Sequence, residues 1–165
     1  MKKKWLIAIF ILLFVVSVGL NVFLLKEDKE QTYRNLDMYK TNLFAISETF
    51  DRSLHSQYKG VYGQNFIQSY QHAATALDLA GLLGVNSRMF KEHREVYYYL
   101  AHDMWSILFL LSESITDKEK LETANTVFQI YLKELKKVDF YKPNDVAQVR
   151  VKLMHEAEQR GLLGY

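Results

Sequence analysis

The sequence predicts an all-α protein, with one N-terminal transmembrane helix followed by an up-and-down bundle of four to five helices. Three observations carry that expectation. A run of 21 residues near the start holds no ionisable side chain, apolar positions thereafter recur every three or four residues, and the 165 residues include only 7 Gly and one Pro. Helices run long where those two breakers are scarce, and no window shows the alternation of a half-buried strand.

The apolar run is Trp5 to Leu25, WLIAIFILLFVVSVGLNVFLL, with Ser17 and Asn21 as its polar residues. At ~1.5 Å of rise per residue it makes a rod of about 31 Å, which matches the ~30 Å hydrocarbon thickness of a bilayer. Lys2, Lys3 and Lys4 precede it, and Lys26 to Glu30 follow with a net charge of −1. The positive-inside rule then makes residues 1–4 a cytoplasmic stub, 5–25 a transmembrane signal anchor and 26–165 an extracytoplasmic domain. The expected location is the cell membrane, crossed once, with the N-terminus inside. Trp5 falls at the inner boundary, where an indole buries its ring and keeps its N–H wet. The competing reading is a cleaved signal peptide with Ser17-Val18-Gly19 as its small-residue site, but the run continues to Leu25, beyond what such a peptide needs. Ser17 and Gly19 are small enough for another helix to approach.

Beyond the anchor, Tyr33, Leu36, Tyr39, Leu43, Ile46, Phe50 and Leu54 line one helix face, and this first helix grows directly out of the membrane. It stops near Tyr58, at a turn bracketed by Gly60 and Gly63. A second helix carries Phe66, Tyr70, Ala73, Leu77 and Ala80, and Gly84 closes it. Asn86 or Ser87 caps a third, which runs to about Ser112 with the stripe Phe90, His93, Tyr97, Leu100, Met104, Ile107 and Leu111. Its second stripe of Tyr98, His102, Trp105 and Phe109 suggests a central helix with neighbours all round. Thr116-Asp117-Lys118-Glu119 reads as a capping box for a fourth helix, on which Leu121, Ala124, Phe128, Tyr131, Leu135 and Val138 repeat. Pro143 opens a fifth, with Val146, Val149, Leu153 and Ala157 on one face until Gly161. The tail from Gly161 to Tyr165 is expected to fray or tuck against the bundle.

Charge and composition exclude several functions. The formal +2 rests on the stub, because without its three lysines the 21 basic residues become 18 against 19 acidic ones, about −1. A basic nucleic-acid footprint is missing. Cys is absent, so packing alone holds the exported domain, a pattern that points weakly to a bacterial envelope. Neither Glu-x-x-His nor His-Glu-x-x-His occurs, and His93 and His102 fall on opposite helix faces, so no metal site, cofactor or catalytic set is expected. Asp51 with His55, and His102 beside Asp103, are read as ordinary helix-surface pairs rather than acid-base pairs. None of the nine serines sits in a Gly-x-Ser-x-Gly nucleophile elbow.

Two constellations are left as candidate sites. Tyr98, His102, Trp105 and Phe109 make a partner-binding strip if the third helix is peripheral, and filling if it is central. His93 and Tyr97 are a candidate ligand or pH-sensing pair, with a plain edge-of-core role as the alternative. The expected function is that of a non-enzymatic, membrane-anchored module that binds or regulates another membrane or envelope protein. A ligand-sensing ectodomain reporting through a partner is the second reading, and an envelope enzyme without a recognisable motif the third. Its partners are the lipid bilayer and a membrane or envelope protein. The Tyr33 to Leu54 stripe leaves open a homodimer.

Overall fold

The computed structural model describes residues 2–55, 59–83, 88–113 and 115–162. Helix α1 (Lys2–Leu54) continues without interruption from the apolar run into the polar half of the chain. It is followed by α2 (Lys59–Leu82), α3 (Arg88–Ser112), α4 (Lys118–Leu135) and α5 (Pro143–Gln159), and no strand occurs among the described residues. The fold is therefore all-α, as the three-four periodicity requires. Along its first half the described apolar side chains of α1 are uncovered: Phe10 and Phe14 are 73% and 70% exposed, and the large ones around them are similarly bare. Among the described residues α1 is the one helix long and apolar enough to cross a membrane, and its apolar window is not covered by the bundle.

From Thr32 onward the same helix becomes a wall of the core. Leu36, Tyr39, Leu43, Ile46 and Phe50 are buried on it. Helix α1 packs against α2 and α4, α2 against α3, α3 against α5, and α5 against α4, so the five helices close a ring. The pairs Thr49–Ser69 at 2.6 Å and Asn42–His72 at 2.8 Å run α1 and α2 antiparallel. Asn125 Nδ2 donates to Asp51 Oδ1 at 2.8 Å while Tyr141 meets Tyr33 at 5.5 Å, which makes α4 antiparallel to α1. Helix α5 then lies between α3 and α4, antiparallel to α4 and parallel to α3. Chain order runs up and down, but it is not the spatial order.

Several local expectations need correction. Gly60 and Gly63 do not bracket a turn, because α2 begins at Lys59 and contains both. The expected features at Tyr58, Gly84, Asn86 and Ser87 lie outside the described residues. The cap of α4 is Asp117 rather than Thr116: its carboxylate accepts from Lys120 N–H at 3.0 Å, and Thr116 belongs to the preceding turn. A carboxylate at that position also opposes the positive end of the helix dipole. Helix α4 ends at Leu135, so Val138 packs against the core from a turn. Helix α3 is one stave of the ring and not its axis. Of the stripe from Tyr33 to Leu54, Leu36, Tyr39, Leu43, Ile46 and Phe50 lie in the bundle's own core and Leu54 packs against it.

Helix α5 closes with a Schellman motif. Gly161 takes φ of 68°, Leu162 N–H reaches back to the Ala157 carbonyl at 2.9 Å, and Gly161 N–H bonds the Glu158 carbonyl at 3.0 Å. That turn tucks Leu162 into the core beside Ala157. Gly is needed there because a Cβ disfavours the left-handed region.

The interior is tied by phenols. Tyr39 Oη donates to the Tyr97 carbonyl at 2.7 Å, and Tyr97 Oη donates to the Phe140 carbonyl at 2.8 Å. These two bonds join α1, α3 and the α4–α5 turn across the ring. Burial raises the pKa of both phenols, so they remain donors throughout the physiological range. Tyr131 is equally buried, yet its hydroxyl has no partner among the described residues. The three tyrosines should therefore respond differently to loss of the hydroxyl. Tyr97→Phe takes the donor from the Phe140 carbonyl and Tyr39→Phe takes a second donor from the helical Tyr97 carbonyl, and each should cost about 1–2 kcal/mol. Tyr131→Phe should be neutral or slightly stabilising. Denaturant midpoints of the three variants check this, and an equal loss in all three would refute the assignment of partners.

Candidate functional site

Helix α3 keeps a row of aromatic rings outside the core. Tyr98, His102, Trp105 and Phe109 follow one another at three- and four-residue steps and so share one helix edge. Tyr98 stacks on His102 with centroids 6.0 Å apart, His102 lies 6.3 Å from Trp105, and Trp105 stacks on Phe109 at 5.4 Å with the rings 13° from parallel. The result is a continuous ladder about three turns long. Tyr98 and Phe109 are 40% and 45% exposed, while Trp105 is half-buried.

Other elements hold this ladder in place. Tyr70 of α2 packs against Trp105 at 5.6 Å from the inner side. Next to Tyr98, at 5.8 Å, stands Tyr99, whose ring lies 5.0 Å beneath the Arg150 guanidinium of α5. Arg150 also ion-pairs with Asp103, which is buried one turn further along α3. His102 Nδ1 is 3.9 Å from the same carboxylate. A groove of about 350 Å³ lined by Ala80, Gly81, Arg94, Glu95 and Tyr98 extends the ladder toward the start of α3. Sequence periodicity located the four rings. It missed Tyr70, Arg150 and the groove, because these depend on which helices become neighbours; the one signal was Gly81, whose missing side chain leaves that end of α2 open.

The other candidate pair is not brought together. Tyr97 is wholly buried and fills the core, whereas His93 is exposed. His93 does share the core-facing angle of α3. The helix that covers that side, however, begins at Pro143, close to the Phe140 carbonyl that Tyr97 reaches, and the turn bearing His93 lies beyond it.

Titratable groups elsewhere serve packing. Asp51 and His55 are 3.4 Å apart on the surface, and Asn125 occupies the carboxylate from α4. Among the described residues no three His, Asp or Glu side chains converge as metal ligands would. His72 is different, because it sits between α1 and α2 with Nδ1 2.8 Å from Asn42 Oδ1. Desolvation, assisted by the Arg52 charge, lowers its pKa below the ordinary value of 6.5.

No protein-family model matches the chain, and neither a curated protein nor a solved structure is significantly similar to it. The site therefore stands on its geometry.

Two expectations follow for these polar contacts. Arg150→Leu strands the buried Asp103 carboxylate and unstacks Tyr99. It should destabilise the bundle by about 1–3 kcal/mol, discounted because Arg150 is itself part-exposed. Asp103→Asn should cost less than Arg150→Leu in the same chemical denaturation, since a neutral amide tolerates burial better. For His72 the folded state prefers the neutral ring. Its contribution is fully present above about pH 6.5 and is lost as pH falls through that value toward the lower folded pKa. A His72→Gln variant should show a flatter fall of Tm between about pH 7 and pH 5 than the parent. Superimposable profiles would count against the shift.

Proposed function

We propose that this chain is a non-enzymatic, single-pass membrane protein. Its bundle, held on the extracytoplasmic face of the cell membrane, binds or regulates another membrane or envelope protein through the α3 ladder. The observation that carries the reading is the ladder itself: four rings in successive contact, partly in solvent, on a helix whose opposite face already fills a core. A folded domain seldom leaves such rings uncovered, and Tyr and Trp supply much of the binding energy where protein surfaces meet. Orientation is supported by Lys2 to Lys4 on one side of the apolar run and the net −1 of Lys26 to Glu30 on the other. The ligand-sensing alternative has less support, since Tyr97 is committed to the core and His93 is exposed beyond the helix that covers it.

The test uses full-length, affinity-tagged protein crosslinked in its own membranes. Phe109→Asp and Tyr98→Asp place a charge at each exposed end of the ladder. Each should reduce recovery of the crosslinked partner at least tenfold while moving Tm by no more than a few degrees, as surface changes do. Unchanged recovery would remove the ladder from the interface. Full complementation by a fragment starting at Lys26 would show that anchoring plays no part.

A further inference from the structure

Asn21 lies in the apolar half of α1, where an amide is expensive. Its Nδ2 donates to the Ser17 carbonyl at 2.9 Å, which uses one of its two N–H groups. The second N–H and the carbonyl oxygen retain hydrogen-bonding capacity in surroundings of exposed Val22, Leu24 and Leu20. In hydrocarbon such capacity is met by another helix or by a side chain reaching toward the interface.

Helix geometry says which side of the molecule this amide faces. Tyr39 follows Asn21 by eighteen residues, about five turns and ~27 Å along the axis, so the two share one face. By the same spacing Ser17 shares a face with Asn35. Tyr39 and Asn35 are both buried against the bundle. The Ser17–Asn21 face therefore runs directly beneath the overhang formed by α2 to α5. Gly19 sits two residues from Ser17, about 200° around the helix, and looks the opposite way into open space. Gly19 and Ser17 do not form one contact surface.

This placement selects the occupant. Two copies paired in parallel through the Asn21 face would bring their anchors within the ~8–10 Å of packed helices. Both bundles overhang that same face, so they would be driven into one volume. A symmetric pair is therefore excluded on this face. A different transmembrane segment fits, provided that its chain ends or turns close to the membrane surface below the bundle.

Taking residues 5–25 as a membrane span, as proposed above, we infer that the Ser17–Asn21 face receives the transmembrane helix of a different membrane protein. That helix offers a hydrogen-bonding side chain at the depth of Asn21 and leads into a short external connection under the bundle. The partner is thus gripped in the lipid by α1 and capped from outside by the domain.

Site-specific photo-crosslinking of the full-length protein in its native membranes tests this. A photoreactive residue at Phe14 or Ser17 should give adducts with a second, different polypeptide, mapped by mass spectrometry to a hydrophobic segment. The same residue at Val16 or Phe23, on the far face, should give few. Asn21→Leu should reduce the Phe14 adduct about tenfold, the scale of one amide contact between helices in lipid, and Asn21→Gln should restore much of it. Adducts of two identical chains, equal yields on both faces, or indifference to Asn21→Leu would each overturn the inference while the span stands. Intact mass of the membrane fraction separates the two readings: a chain beginning after Gly19 would overturn the span and this inference together.

Discussion

The constraint on which the molecule depends is the continuity of α1. One helix supplies the exposed apolar rod and the wall of the bundle, with no break in its backbone hydrogen bonds between Leu25 and Thr32. A hinge would let the bundle turn freely on the apolar rod. A continuous helix instead transmits rotation and translation, so each face of the rod keeps a fixed relation to the bundle above it. This is why Asn21 can be related to Tyr39 by counting turns.

Above the rod, the core is held by apolar packing and by two hydroxyl donors that cross the ring. Tyr39 and Tyr97 each use a ring to fill space and a hydroxyl to satisfy a carbonyl on a different element. Such bonds specify which elements meet, since a hydroxyl buried in an apolar interior is costly without an acceptor. The Arg150–Asp103 pair plays a comparable part at the parallel seam of α3 and α5, where short connections alone would not have placed those helices side by side. Because α5 inserts between α3 and α4, α3 packs mainly against α2 and α5, and the aromatic edge it turns outward is left over from the core.

Much of this was legible from residue order. The stripes of Leu36 to Phe50, Phe90 to Leu111 and Leu121 to Leu135 predicted their own burial, because a helix repeat forces those side chains to one side. Pro143 marked the start of α5 and Gly161 its end through their backbone restrictions alone. Reading by spacing failed where a position depended on coverage. His93 repeats in step with Phe90 and Tyr97 yet emerges into solvent, because the helix that would cover it starts too late. Thr116 and Asp117 are equally suited to begin a helix by composition, and geometry chose the carboxylate.

Taken alone, the order of residues determined that the chain is helical, where its five helices lie, and that its first segment is apolar for the full thickness of a bilayer. These are local properties, set by periodicity, by the backbone preferences of Gly and Pro and by the length of a run without charge. Tertiary structure alone decided that α5 separates α3 from α4, that Tyr98, His102, Trp105 and Phe109 remain outside, and that the Asn21 amide shares the face of α1 over which the bundle is built. Those outcomes depend on which surfaces become neighbours across long stretches of chain. A helix repeat records which residues share a face and carries no record of what that face will meet.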